Sequence, residues 1–307
     1  MRIAFLGTPE FALPSLDALR GSGHELLVIT QPDRPVGRRR VLTPPPIKVY
    51  AQEYGIPVLQ FEKIRAPEGV AALSAFAPEL MVTAAFGQLL SRENLAIPPL
   101  GTINVHASLL PKYRGASPIQ WAIMSGESVT GITTMQTDIG MDTGDILLQK
   151  QLTIDENETY GELSERLSRL GAEVLMETIG QPIRGVPQRE EEATLCRPLT
   201  KEQGRLRFDV PCRDVHNLVR GTNPWPGAWA MLGDGPLKVW RTRHSPLSAP
   251  QTSPLREGGL HGSAKDGLFV QCLDGLLEIV ELQAQGGKRM SARDFLRGNT
   301  IVGEVLT

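Results

Sequence analysis

The chain has 307 residues, 41% of them hydrophobic and 21% charged, and a formal net charge of −2. This composition is typical of globular proteins, and the length favours two domains over one. No apolar run reaches the roughly 18 residues that a membrane-spanning helix requires. The three cysteines are far apart and odd in number, which argues against a disulfide framework or a zinc site. We therefore expect a cytoplasmic protein with no membrane partner and no metal.

The first half of the chain alternates short apolar runs with helical patterns. Strands are predicted at residues 3–6, 25–30, 57–59, 80–84, 102–105, 130–137 and 146–154. Helices are predicted at residues 9–21, 47–54, 67–77, 117–125 and 159–179. Such alternation predicts an α/β domain built on a parallel sheet. The first turn, Gly7-Thr-Pro-Glu-Phe11, lacks the GxGxxG pattern, so we expect no dinucleotide there, and Thr8 is predicted to cap the first helix.

A basic segment, residues 32–48, separates the second strand from the second helix. It carries a net charge of +4, from Arg34, Arg38, Arg39, Arg40 and Lys48 against Asp33. Connections at such a place usually have about 2–6 residues. A long arginine-rich loop favours binding to a phosphate backbone, although a solvated charged loop is the simpler alternative.

An apolar and aromatic segment, residues 86–90, follows the fourth strand. Its Phe86, Leu89 and Leu90 could form the wall of a site for a flat heterocycle. They could equally well be ordinary core residues. The sequence leaves both interpretations open.

Two polar segments about thirty residues apart carry the candidate chemistry. Asn104 and His106 lie two residues apart at the end of a predicted strand, so their side chains share a face. Asp142 lies in a later glycine-flanked turn together with Asp138 and Asp145. We interpret Asp142 as functional and the other two aspartates as structural, because Asp often stabilises a turn by bonding to the nearby backbone. The two segments contain no Ser or Cys nucleophile elbow. The three aspartates lack the ligand order of a calcium loop, which argues against a cation site. An amide, an imidazole and a carboxylate suit oxyanion stabilisation and proton movement, as in acyl or formyl transfer to an amine.

The composition changes after residue 180. A stretch rich in proline, glycine and glutamate leads to a predicted helix at 212–220 and predicted strands at 228–232, 237–240, 267–271 and 276–283. Short strands punctuated by glycine favour a small β-barrel. Residues 204–307 have a net charge of +3 and the remainder −5, which favours a polyanionic partner for the second domain. We predict a domain at 1–185, a linker at 186–203 and a second domain at 204–307.

Several motifs together resemble those of the methionyl-tRNA formyltransferases over essentially the whole chain. They are Phe5-Leu-Gly-Thr-Pro-Glu-Phe11, Gln31-Pro-Asp-Arg-Pro-Val-Gly37, Asn104-Val-His-Ala-Ser-Leu-Leu-Pro111, Tyr113-Arg-Gly-Ala-Ser-Pro-Ile119, Asp142-Thr-Gly-Asp145 and Asn223-Pro-Trp-Pro-Gly227. The Asn-x-His element with the later Asp is similar to that of all 10-formyltetrahydrofolate-dependent formyltransferases. The resemblance implies a Rossmann-like formyltransferase domain followed by an OB-like β-barrel.

The resemblance also implies the substrates and the roles of individual residues. The formyl donor is 10-formyltetrahydrofolate and the acceptor is initiator methionyl-tRNA, with no DNA partner and with a monomeric enzyme. Asn104, His106 and Asp142 are the implied catalytic residues. The expected folate contacts are Ser108, Leu109, Leu110, Pro111, Phe86, Leu89 and Leu90. The expected tRNA contacts are Arg34, Arg38, Arg39, Arg40, Lys201, Arg205 and Arg207.

Three other functions fit parts of the same pattern. Sugar-nucleotide formyltransferases share the Tyr-Arg-Gly and Pro-Trp-Pro-Gly elements but lack the arginine-rich loop. A hydrolase that releases formate from the same folate would need the same Asn, His and Asp. An RNA-binding protein with an inactive α/β domain would need only the basic surfaces.

Overall fold

The computed structural model describes residues 1–37, 39–244, 256–301 and 303–307. The described residues form two compact units. The first comprises Met1–Gly115, Thr130–Leu152 and Ser164–Leu195, and the second comprises Ala116–Val129, Thr153–Leu163 and Cys196–Thr307. The first unit follows the predicted α/β pattern, and the second contains the predicted antiparallel strands.

The described residues of the first half of the chain contain ten strands. They are β1 (Arg2–Gly7), β2 (Glu25–Thr30), β3 (Arg34–Val36), β4 (Val41–Thr43), β5 (Val58–Gln60), β6 (Leu80–Ala84), β7 (Thr102–His106), β8 (Arg114–Gly115), β9 (Val129–Gln136) and β10 (Ile146–Thr153). The helices of this half are α1 (Leu13–Gly21), α2 (Pro46–Glu53), α3 (Pro67–Phe76), α4 (Arg92–Leu95), α5 (Pro118–Met124) and α6 (Tyr160–Ile179).

Seven of these strands form one sheet in the order β10-β9-β7-β6-β1-β2-β5. The neighbouring pairs β5–β2, β2–β1, β1–β6 and β6–β7 are parallel, whereas β9 runs antiparallel to β7. All five residues of β6 are buried, as are the last five of β1 and of β2. Unbroken burial along a strand means that both faces of the sheet are covered. The carboxyl ends of β1, β2, β6 and β7 therefore form a shared edge at which loops can meet.

Two local features of this domain differ from the sequence prediction. Thr8 does not cap a helix, because its hydroxyl donates across the sheet edge to the Phe86 carbonyl oxygen at 3.0 Å. The basic segment is not a plain loop, because β3 and β4 pair as a short antiparallel hairpin within it. By contrast, Thr159 caps α6 as predicted, since its hydroxyl accepts from the Glu162 backbone N–H.

The described residues of the second half of the chain form an antiparallel β structure with two α-helices. Its elements are β11 (Leu195–Cys196), α7 (Cys212–Gly221), β12 (Ala228–Leu232), β13 (Gly235–Arg243), β14 (Leu260–Ser263), β15 (Gly267–Cys272), β16 (Gly275–Gln283), β17 (Met290–Ser291) and α8 (Ala292–Gly298). The strand order is β12-β13-β16-β15-β14, with β17 beside β16. Four of these elements, β11, β14, β17 and α8, were not predicted from the sequence.

The C-terminal residues close this sheet into the predicted barrel. Thr307 exchanges two backbone hydrogen bonds with Met231 of β12, while Leu306 donates to the Gly258 carbonyl oxygen. Leu260 of β14 donates to Glu304 in the same tail. Both edge strands are thus covered by residues 303–307, and the interior is filled by side chains such as Val239, Val270 and Ile279.

The three cysteines all lie within the described residues, where they are buried and form no disulfide bond. Within the described ranges, no helix is long and apolar enough to cross a membrane. The same residues contain no group of three or more His, Cys, Asp or Glu side chains arranged to hold a metal ion.

Candidate active site

The end of β7 brings the two predicted polar side chains to the shared edge of the sheet. Asn104 and His106 are paired with Met135 and Thr133 of β9, respectively, and Asn104 also faces Thr83 of β6. Their positions two residues apart place both side chains on one face of the strand. The imidazole of His106 is only 6% exposed. The strand thus fixes an amide and an imidazole side by side in a largely buried setting.

Asp142 joins this pair from the 138–145 turn. Its Oδ1 accepts from Asn104 Nδ2 at 3.3 Å, and its Oδ2 accepts from the Gly115 backbone N–H at 2.8 Å. The same Oδ2 lies 3.6 Å from His106 Nδ1. The structure therefore brings together the three residues that the sequence marked as catalytic. Asp138 shapes the turn instead, because it accepts from the Gly140 N–H and from the Thr143 hydroxyl.

The hydrogen bonds of His106 define its protonation pattern. Nε2 lies 2.9 Å from the Tyr113 carbonyl oxygen. A carbonyl oxygen can only accept, so Nε2 carries a proton. Nδ1 is then the nitrogen that can take up or donate a proton during a reaction, and it faces the Asp142 carboxylate.

Asn104 is oriented by a residue that the sequence did not identify. The Thr83 hydroxyl donates to Asn104 Oδ1 at 2.8 Å. This bond fixes the amide so that Nδ2 is directed to Asp142. Since an amide nitrogen has two hydrogens, a second donor remains for a ligand.

The 108–111 segment is held by hydrogen bonds within the protein. The Thr133 hydroxyl donates to the Ser108 carbonyl oxygen and accepts from the Leu110 N–H, at 2.7 and 3.1 Å. Gln149 Nε2 donates to the Leu110 carbonyl oxygen at 2.8 Å, and the Ser108 hydroxyl donates to the Lys112 carbonyl oxygen. The backbone groups of Leu110 are thus used internally. Leu109, which is half-buried, and Pro111 are the members of this segment with exposed surface for a ligand.

The 86–90 segment divides into a core residue and a surface residue. Phe86 is only 4% exposed and packs with Leu6, Ile29 and Met81 in the core, whereas Leu89 is 64% exposed. Leu90 is half-buried against the same core. The Phe86 carbonyl oxygen accepts from Gln31 Nε2 as well as from Thr8, which fixes the loop at the sheet edge.

A chain of polar contacts behind Asp142 was not recognised from the sequence. Arg114, only 4% exposed, donates through Nε to Gln188 and through both terminal nitrogens to Glu190. The Glu190 carboxylate raises the pKa of the Arg114 guanidinium above its ordinary value. Gln188 in turn donates to the backbone oxygens of Asp142 and Gly144. The Tyr-Arg-Gly motif was the available signal for Arg114, and Gln188 lay in the predicted linker.

The basic hairpin holds the predicted tRNA-binding arginines at an exposed site. All residues of β3 and β4 are exposed, and Arg34 pairs with Glu62 at 2.6 Å. Arg39 and Arg40 form the exposed turn, with Arg40 at a φ of 50°. Arg38 lies outside the described residues.

The base of the hairpin is fixed by a polar cluster. Lys48 Nζ contacts both oxygens of Asp33, at 2.8 and 2.9 Å, and also Gln60. Gln60 Nε2 donates to Asp33 as well. The Lys48 ammonium, together with Gln60, lowers the pKa of the Asp33 carboxyl.

The remaining predicted cations lie in the second compact unit. Lys201, Arg205 and Arg207 are all exposed. The Arg205 guanidinium lies 5.7 Å from the centre of the Trp229 ring, and Arg207 pairs with Asp209 at 2.6 Å. Of the three side chains, Arg207 is therefore partly neutralised by a neighbouring carboxylate.

Comparison with known proteins places the geometry in a family. Residues 1–179 match the family model described as formyl transferase, and residues 198–300 match formyl transferase, C-terminal domain. The methionyl-tRNA formyltransferases of Ruminiclostridium cellulolyticum and Acetivibrio thermocellus are each 46% identical, over 313 and 312 residues. Each alignment covers 100% of this chain and 99% of the relative.

Solved structures share the fold at lower sequence identity. A methionyl-tRNA formyltransferase from Clostridium thermocellum has a TM-score of 0.56 at 19% identity, covering 80% of this chain and 94% of that one. The sugar 3N-formyl transferase WlaRD, solved with dTDP and 5-N-formyl-THF, has a TM-score of 0.67 at 18% identity, covering 92% and 97%. At these identities the likeness concerns the fold.

Proposed function

The chain belongs to the formyl transferase family, and from its methionyl-tRNA formyltransferase relatives we propose that it formylates methionyl-initiator tRNA. The formyl donor is 10-formyltetrahydrofolate, and the product is N-formylmethionyl-tRNA for translation initiation. The observation that carries the proposal is the convergence of Asn104, His106 and Asp142 at the sheet edge.

The donor set fits transfer of a formyl group to an amine. The Asn104 amide retains a hydrogen-bond donor, and His106 offers Nδ1, so two groups are available to stabilise an oxyanion that develops from the formyl oxygen. Both are held in place before the substrates bind, which is the condition under which such donors act strongly.

The same groups can move the proton of the attacking amine. An α-amino group has an ordinary pKa of about 7.7–8.0, so a substantial fraction is neutral and able to attack near pH 7–8. Asp142 faces His106 Nδ1 and can accept the proton released as the new C–N bond forms. That proton can then pass to N10 of the folate as the bond between N10 and the formyl carbon breaks, so that tetrahydrofolate leaves as a neutral amine. His106 Nε2 stays bound to the Tyr113 carbonyl oxygen, which prevents rotation of the ring.

We assign the substrate contacts according to exposure and charge. Leu89, Leu90, Leu109 and Pro111, with Phe86, Ser108 and Leu110 behind them, are proposed to line the folate site. The exposed cations Arg34, Arg39 and Arg40, together with Arg38, and Lys201, Arg205 and Arg207 are proposed to bind the tRNA backbone. We further propose a catalytic domain at 1–185, a linker at 186–203 and a tRNA-binding domain at 204–307. The enzyme would act as a cytoplasmic monomer.

The proposal is tested by formyl transfer from 10-formyltetrahydrofolate to methionyl-initiator tRNA, with methionyl-elongator tRNA as control. We expect rapid formylation of the initiator and much slower formylation of the elongator. Transfer to neither tRNA, with turnover of a nucleotide-linked amino sugar, would replace this proposal with a sugar formyltransferase. Release of formate without an acceptor would indicate a hydrolase.

A further inference from the structure

Residues 186–195, which we call the strap, contribute to the side of the site that holds Asp142. Val186 pairs with Ile146 of β10 through two backbone hydrogen bonds, which anchors the start of the strap. Two residues later, Gln188 Nε2 donates to the carbonyl oxygens of Asp142 and Gly144, at 2.8 and 2.7 Å. The Gln188 amide nitrogen thus binds the turn on both sides of Thr143.

The amide of Gln188 is held from its other end by a buried cation. Gln188 Oε1 accepts from Arg114 Nε at 3.0 Å. The terminal nitrogens of Arg114 donate to both carboxylate oxygens of Glu190, at 2.9 and 2.8 Å. The planar guanidinium therefore fixes two strap residues at once, a geometry that a lysine could not reproduce. With its oxygen bound to a donor and its nitrogen to two acceptors, the amide has one satisfactory orientation.

Asp142 requires such support because of its backbone conformation. Its φ is 54°, in the left-handed region that is unfavourable for a residue with a Cβ atom. Such a conformation persists only where the surroundings impose it. The two bonds from Gln188 act on the carbonyl groups of this turn. They therefore help to set the direction in which the Asp142 carboxylate points.

The strap also supports the segment that contacts His106. Thr194 accepts from the backbone N–H groups of Tyr113 and Arg114, each at 2.8 Å. The Tyr113 carbonyl oxygen accepts from His106 Nε2, and the Gly115 N–H donates to Asp142 Oδ2. His106 and Asp142 are thus both hydrogen-bonded to a backbone segment that the strap holds in place.

We propose that Gln188 is a positioning residue for the formyl-transfer reaction, held by Arg114, and that it directs the Asp142 carboxylate toward His106. This inference rests on the proposed function for its kinetic part. It makes the strap a component of the catalytic apparatus as well as a connection along the chain.

The test uses the full chain with Gln188→Met, which keeps the length of the side chain and removes both hydrogen bonds to the turn. Displacement of a catalytic group by about 1 Å can lower a rate about 10²-fold. We expect kcat to fall by that order, with KM for both substrates within about twofold of wild type. Gln188→Glu keeps an acceptor for Arg114 but places an oxygen against the two carbonyl groups, and we expect a loss at least as large. The exposed Gln52→Met is the matched control and should leave both constants unchanged.

A second measurement does not depend on the acceptor. The chain has five histidines, so the His106 ring signal can be assigned by NMR from its loss in His106→Ala. In Gln188→Met the His106 ring signals should move away from their wild-type chemical shifts, because the Asp142 carboxylate that lies 3.6 Å from Nδ1 in the wild type is displaced. Unchanged His106 ring shifts, or a kcat within twofold of an active wild type, would overturn the inference. A wild type inactive on methionyl-tRNA would overturn the proposed function alone, and the His106 ring shifts would still decide the role of Gln188.

Discussion

The candidate active site and the basic hairpin differ in how their polar groups are held. At the site, Asn104, His106 and Asp142 each have partners within the protein, at distances from 2.8 to 3.6 Å. In the hairpin, Arg39 and Arg40 are exposed and form no side-chain hydrogen bond or ion pair with a described residue. Groups that stabilise a transition state must be in place before the reaction. Cations that bind a flexible polyanion gain from freedom to adjust.

The burial of the two regions shows the same contrast. Four of the five residues of β7 are buried, whereas all six residues of β3 and β4 are exposed. Substitutions at the end of β7 should therefore affect the chemical step. Substitutions in the hairpin should affect only the binding of the large substrate. The following predictions test that division, beginning with the largest expected effect.

Removal of the imidazole should produce the largest loss. In His106→Ala, kcat should fall by about 10²–10⁴-fold, the range expected for loss of a general acid or base. The KM for methionyl-tRNA should change little, because the hairpin is untouched. Single-turnover formylation assays on the purified variant measure both quantities, and circular dichroism confirms that it is folded.

The control for this variant is His24→Ala, because His24 precedes β2 at the amino end of the parallel strands, opposite the site. It should have wild-type kinetics. If His106→Ala retained near-normal turnover while folded, His106 would have no part in the chemical step. The contrast between a fixed site and an adjustable hairpin would then lose its main support.

The sequence revealed the parts of the site that follow from strand periodicity. Asn104 and His106 could be placed on one face at the end of a buried strand, because side chains in a strand alternate with period two. Asp142 was singled out from a turn with three aspartates, and the resemblance to formyltransferases implied its catalytic role. The α/β domain and the barrel strands were predicted from the same alternation of apolar runs.

The supporting residues could not be predicted, because they act across long separations in the chain. Thr83 reaches Asn104 from a neighbouring strand, and Gln188 reaches Asp142 from 46 residues further along the chain. Neither residue carries a local signal. The open question about residues 86–90 was also decided by tertiary packing, since Phe86 lies in the core and Leu89 on the surface.

Substitution of the hairpin arginines should change binding without changing chemistry. In Arg39→Ala/Arg40→Ala, the KM for methionyl-tRNA should rise roughly tenfold at low salt, equivalent to about 1.4 kcal/mol. The slope of log KM against log salt should fall by about 0.7–0.9 for each phosphate group that the variant no longer neutralises. Steady-state assays at salt concentrations from about 50 to 200 mM measure both effects, and kcat and the KM for formyl-folate should not change.

Arg65→Ala, which removes one positive charge at an exposed position outside the hairpin, serves as the control and should leave the salt slope unaltered. Equal tRNA affinity and equal salt slope in the hairpin variant would mean that its arginines are merely solvated. A fall in kcat instead would show that the hairpin helps to assemble the catalytic site. Either result would break the separation between the two regions.

The smallest expected effect concerns the base of the hairpin, which resembles the active site in having partners within the protein. Lys48, with Gln60, lowers the pKa of the Asp33 carboxyl below its ordinary value of 3.8. A carboxyl with a lowered pKa stabilises the folded state fully at pH values above its ordinary pKa, and this contribution is lost as the pH falls through the lowered pKa.

In Lys48→Met, the pKa of Asp33 should return toward 3.8 but stay somewhat below it, because Gln60 still donates to the carboxylate. Carboxyl ¹³C NMR titration measures this shift, with the exposed Lys63→Met as control. Thermal unfolding near pH 7 should change little, since ion pairs near the surface contribute little to stability. An unchanged Asp33 titration would show that Lys48 does not hold the hairpin base, and that the hairpin lacks the internal support found at the active site.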